Sequence, residues 1–155
     1  MKLPTKQWPV SSIFLILFGS GLLAVGAYFL VLRPPLLPED LRYVGASQAQ
    51  LEAVAPQLTL WLTQVFRVLG GYISATGILT IALAATSYRS RQYGAVAAAA
   101  LTGLLSIGLM TGINFDINSD FKWALLGLAI LWVCSLLTFF AESFGVANAR
   151  QYLGR

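Results

Sequence analysis

"SIFLILFGSGLLAVGAYFLVL", residues 12–32, carries no charged side chain, and its length decides how the rest of the chain is read. About 20 apolar residues in helical conformation cover the ~30 Å hydrocarbon core of a bilayer. The run lacks the strict alternation of a barrel strand, so helix is the expected state. Lys2 and Lys6 stand where a secretory signal would carry its basic start. The apolar run is longer than a signal core, however, and it ends at "RPP" with no small-residue cleavage site. An uncleaved transmembrane helix is the expectation.

Working outward, three further apolar runs occupy about 58–88, 93–113 and 121–144. The 155-residue chain is 57% hydrophobic and 10% charged, with a mean hydropathy of +0.75. A soluble domain has about a quarter of its residues charged, and one of this length could not bury so much apolar surface. The expected architecture is all-α. It is an antiparallel bundle of four transmembrane helices, one membrane domain over 1–155, with loops 33–57 and 114–120 on the outer side. The link "SYRSRQYG", 87–94, is short enough to make helices two and three antiparallel neighbours. In the longer loop, Pro34, Pro35 and Pro38 force extended or turn geometry. There "SQAQLEAVA", 47–55, reads as a short helix with a capping box from Ser47 and Gln50.

Charge sets the orientation. Six of the ten basic residues (Lys2, Lys6, Arg89, Arg91, Arg150 and Arg155) fall on the side of the termini. Arg33, Arg42 and Lys122 fall opposite, with Arg67 near that border. The positive-inside rule then predicts a multi-pass protein of the bacterial cytoplasmic (inner) membrane with both termini cytoplasmic. Because the basic residues are scattered, with no patch, nucleic acid is not an expected partner.

Missing residue types narrow the chemistry. There is no histidine, the usual proton shuttle and commonest metal ligand. The one cysteine, Cys134, excludes an internal disulfide and a dithiol pair, and reads as a small apolar side chain. No metal, no cofactor and no catalytic centre are expected.

Arg67, in "TQVFRVLGGYISATG" (63–77), is the first candidate site residue. It precedes Arg89 by about 33 Å of helix, roughly one hydrocarbon thickness, which places it at the outer boundary. Helical spacing puts it beside Gly70, Gly71, Ser74 and Gly77, so it is expected to face the other helices and meet Asp116 and Asp120. Arg42 and Lys122 complete this candidate polar cluster, with Tyr72 and Trp123 nearby. The cluster reads as a structural clamp or as a contact for an anionic head group.

The acids themselves offer less. In "NFDINSDFKW", 114–123, Asp116, Asn118 and Asp120 imitate the opening of a calcium loop. Phe121 then stands at the glycine position and Gly127 at the final glutamate position, so the pattern fails. Ser119 or Asp120 is expected to cap the last helix instead. Glu39 and Asp40, adjacent in "LPEDLRYVG" (37–45), read as a solvated turn with apolar anchors for a partner. Glu142 is expected to reach the inner interface. Gly19, Gly26, Gly70, Gly71, Ser74, Gly77, Gly103 and the "GLMTG" at 108–112 favour close helix packing within the chain, or between chains in a homo-oligomer.

Together, "LPEDLRYVG", "RVLGGYISATGILT" and "NFDINSDFKW" resemble segments of small four-helix proteins of the bacterial inner membrane. That resemblance implies the fold and no activity. The plan is also similar to that of DoxX-like proteins, some of which associate with quinone-linked oxidoreductases; this is an analogy of architecture. The paired cysteines of vitamin K epoxide reductases are lacking, as are the outer-loop cysteines of tetraspanins and claudins. The first-helix glutamate of small multidrug exporters is also lacking, as is the Arg- and Glu-rich second helix of glutathione-related eicosanoid enzymes. The expected function is an accessory, scaffold or partner-binding subunit, with the lipid bilayer and other membrane subunits as partners. The alternative is a lipid-, quinone- or small-solute-binding protein, or a minor transporter, with its site at the outer end of the bundle.

Overall fold

The computed structural model describes residues 8–153, with side chains described through Phe144. Among these there are six helices and no strand. They are α1 (Val10–Leu32), α2 (Pro38–Val44), α3 (Gln48–Val54), α4 (Leu58–Tyr88), α5 (Tyr93–Asp116) and α6 (Lys122–Leu153). Four of them, α1, α4, α5 and α6, are long and apolar enough to cross a bilayer. Lys2, Lys6 and Arg155, used above for orientation, lie outside the described residues, as does the Arg150 side chain.

The connections differ from the sequence expectation in two places. α5 continues through Asp116, where a loop was expected from 114. The Ile117 backbone amide donates to the Ile113 carbonyl (3.0 Å) and carries the helix a turn further, while the Asn114 side-chain amide donates back to the Met110 carbonyl (2.8 Å). The chain reverses instead at Asn118, whose φ of 54° is a conformation that asparagine tolerates. Likewise "LPEDLRYVG" folds as α2 and not as an open turn. Pro38 opens that helix, Asp40 accepts the Leu37 amide (2.9 Å), and Gly45 ends it at φ 71°. α3 starts at its predicted cap, with Ser47 Oγ and Gln50 Oε1 exchanging hydrogen bonds with each other's backbone amides.

Glycines set the tightest contact, between α1 and α4. A Cβ on Gly77 would lie 2.7 Å from the Gly19 carbonyl, and one on Gly26 would lie 2.9 Å from the Gly70 carbonyl. The two pairs sit seven residues apart on each helix, so the antiparallel backbones touch twice, two turns apart. The other side of α1 packs on α6, and α5 packs on α6 in turn. Trp132 lies over Gly103 there and donates its indole N–H to the Ala99 carbonyl (3.0 Å). α4 and α5 were expected to run together. They pack mainly near the turn that joins them, because each is held by a different neighbour.

Inside the bundle Leu15, Phe18, Leu22, Ile107 and Phe139 are buried, whereas Leu17, Leu79, Leu105 and Leu137 lie exposed on the outward faces. Apolar residues all round a helix are the mark of a span or of a deeply buried element. Each of α1, α4 and α5 also contains one π-helical turn, at Tyr28–Leu32, Ala84–Tyr88 and Leu104–Gly108. Such turns insert a residue and shift the helical phase, and they are frequent at functional sites.

Candidate functional site

The parting of α4 from α5 leaves a cleft of about 820 Å³, lined by all four long helices. Its floor is Leu22, Val25 and Phe29 of α1 together with Leu125 and Leu128 of α6. Its flanks are Leu69, Ile73 and Thr76 of α4 and Leu105, Leu109 and Ile113 of α5. Floor residues Leu22 and Leu125 are buried, but Leu69, Tyr72, Leu105, Leu109 and Ile113 on the flanks are exposed. The cleft therefore opens sideways between α4 and α5. Two of the three π turns border it, through Tyr28 and Phe29 on one side and Leu105 and Ser106 on the other.

At the end that carries α2 and α3 the lining turns polar, with Arg33, Glu39, Asp40, Asn114 and Ser119. Arg33 follows the last turn of α1, and Pro34 prevents the helix from continuing. Its guanidinium donates to Asp40 (2.9 Å) and to the Pro34 carbonyl (3.0 Å), and lies 3.5 Å from the centroid of the Phe66 ring. Its side chain is only 7% exposed. Asp40 answers both Arg33 and the Leu37 amide. The adjacent carboxylate, Glu39, is 2% exposed, and it accepts one long hydrogen bond from Ser119 Oγ (3.3 Å).

The expected polar cluster is divided. Arg42 pairs with Asp120 (3.0 Å) at an exposed position on the rim, and Lys122 donates to Asn118. Arg67 is exposed, with no hydrogen bond or ion pair to Asp116, Asp120 or any other group among the described residues. The expected clamp is not formed. At 100° per residue Arg67 lies on the flank that also carries Gly71, where a Cβ would meet nothing. Gly70 and Gly77 turn toward α1 and Phe66 and Ile73 toward the cleft, so Arg67 points away from both. Asp116 is likewise exposed, beside the Gly108–Gly112 groove on α5.

The opposite end of the bundle is closed by polar groups whose pairing was not foreseen: Glu142 was expected only to reach the inner interface, and Arg91 served only to set the orientation. α1 starts after Pro9, which has no side-chain group to cap it. Glu142 of α6 supplies the cap from across the bundle, accepting from the Val10 amide (2.8 Å) and Ser11 Oγ (2.7 Å). The same carboxylate pairs with Arg91, which also donates to the Phe139 carbonyl (3.3 Å) and Ser11 Oγ (3.2 Å). Arg91 has φ 61°, uncommon for a residue with a long side chain, and this ion pair helps to hold it there. Above it the Tyr88 hydroxyl bonds to Ser135, and Ser135 Oγ donates to the Ser11 carbonyl (2.8 Å).

No family model, curated protein or solved structure matches the chain.

The pairings missed from sequence share one cause. Arg33, Glu39, Ser119, Arg91 and Glu142 lie at the ends of apolar runs, where a charge ordinarily meets water. Pairings such as 11 with 142 or 39 with 119 leave no local pattern. The signal that was present is weak: "RPP" followed closely by "PED" places a cation and two carboxylates beside one helix end.

Proposed function

We propose that the protein is a multi-pass protein of the bacterial cytoplasmic membrane with both termini cytoplasmic, and that it holds a membrane amphiphile in the cleft between α4 and α5. The carrying observation is the cleft itself: an apolar chamber of about 820 Å³ that opens sideways and ends in a polar mouth. That volume is in the ~300–1,000 Å³ range of sites that enclose a small molecule. A slot open toward lipid admits a chain from the bilayer without exposing it to water. Arg33 and Lys122 mark the helix ends at the mouth, so a ligand's polar head would lie at the level of the bilayer's own head groups. Nothing at the site resembles a nucleophile with its base, which favours binding over catalysis.

The test is lipid retention after purification in mild detergent, read by native mass spectrometry. Ala124 lines the cleft, and Ala124→Trp should fill it and release the bound amphiphile. Leu79→Trp, on an exposed outward face apart from the cleft, should leave retention unchanged. Equal retention in all three proteins would remove the cleft as the site.

A second reading, the accessory subunit, draws on a different surface. Gly112 has nothing within contact of a Cβ, and Gly108 meets only its own helix. This open small-residue face on α5 fits a helix of a membrane partner or of a second copy. Gly112→Leu should then disperse a complex isolated in mild detergent, and a wild-type protein that runs as a partner-free monomer would count against this reading.

A further inference from the structure

We propose that the occupant of the cleft is a phospholipid bearing a primary ammonium head group, and that Glu39 is the residue that selects it. This rests on the amphiphile reading above and deepens it. The argument is a count of hydrogen-bonding capacity at the mouth. The Arg33 guanidinium uses two of its five N–H donors, on Asp40 and the Pro34 carbonyl, and is packed on Phe66. Asp40 is engaged by Arg33 and the Leu37 amide. Ser119 Oγ accepts the Phe121 amide (3.2 Å) and donates to Glu39. Asn114 has its amide on the Met110 carbonyl, which leaves its Oδ1 as an acceptor.

What remains open is three N–H donors on Arg33, Oδ1 of Asp40 and, above all, the acceptor sites of a carboxylate that has no cation paired with it among the described residues. An ionised carboxylate offers about four lone-pair sites, and Glu39 uses one of them at 3.3 Å while only 2% exposed. No cation pairs with it among the described residues. A buried carboxylate so poorly served is costly to maintain unless something else supplies donors and positive charge. A primary ammonium supplies both, with three N–H donors. A quinone head brings only acceptors, which suit the spare Arg33 N–H groups but leave Glu39 unserved, and a head of net negative charge brings like charge to Glu39. A zwitterionic head serves both, with its ammonium at Glu39 and its phosphate at the spare Arg33 donors. A soluble amine would match Glu39 but would leave the apolar length of the cleft unfilled, which commits the site to a lipid.

The experiment loads the full-length protein in nanodiscs holding equal parts phosphatidylethanolamine, phosphatidylcholine and phosphatidylglycerol, then reads retained lipid by native mass spectrometry. The expected result for the wild type is retention of phosphatidylethanolamine over each of the others by about tenfold, the scale of one charge-assisted contact. Glu39→Gln should keep a bound lipid and lose the preference. Phosphatidylcholine differs only in having its N–H donors methylated, so the wild-type comparison decides the question even if the variant fails to fold. Equal retention of the two, or a preference for phosphatidylglycerol, would overturn the ammonium assignment and leave the cleft reading standing. Absence of any retained lipid would overturn both.

Discussion

The two ends of the bundle are built on opposite plans. At the end holding the α4–α5 turn, Glu142, Arg91, Ser11, Tyr88 and Ser135 link α1, α4 and α6 in one network. At the other end Arg33 and Asp40 answer each other, Glu39 keeps spare acceptor sites, and no described polar pair joins α4 to α5. In a bilayer, helices with apolar outward faces would gain little from lipid exclusion when they meet, so close backbones and satisfied polar groups would decide where a bundle shuts. Where both are present the helices close. Where both are absent between two helices, a slot remains.

Breaking the closed end should have the largest effect. Glu142→Ala removes the distant cap of α1 and leaves the half-buried Arg91 without its counter-ion. A loss of about 3 kcal/mol is expected, checked by thermal unfolding in detergent. The glycine contacts come next. Gly77→Ala drives a Cβ against the Gly19 carbonyl and should cost about 1–3 kcal/mol. Gly71→Ala faces open space and should instead stabilise by about 0.5–1 kcal/mol, so opposite signs from neighbouring turns would sharpen the packing account.

Smaller effects belong to the open end. Arg42→Ala breaks a rim pair whose two side chains are both more than half exposed, and unfolding should shift by no more than about 0.5 kcal/mol. Arg67→Leu should be quieter still in lipid retention, because Arg67 does not line the cleft. Loss of bound lipid in that variant would restore the clamp or ligand role that its place in the sequence suggests.

How much of this could be read from the chain differs by element. Residues 12–32 are legible as a helix long and apolar enough to span a bilayer because length and apolarity are local properties. The cap at Ser47 and Gln50 is legible for the same reason, since both partners lie within one turn. Glu39 was misread as a solvated carboxylate because its burial comes from Ser119 and the start of α6, eighty residues away. Arg67 was misread because a face of small residues implies a neighbouring helix, and the flank at Gly71 has none.

By itself, then, the sequence determined that four apolar helices exist, about where each begins, and that histidine-based and paired-cysteine chemistry is absent. These follow from hydrophobicity, helix length and residue inventory, which need no knowledge of distant contacts. Only the tertiary structure decided that α1 packs on both α4 and α6, that Glu142 caps a helix it meets across the bundle, and that α4 and α5 part around a slot. Those outcomes depend on which glycine meets which carbonyl and which charge meets which, pairings of distant residues that no local pattern encodes.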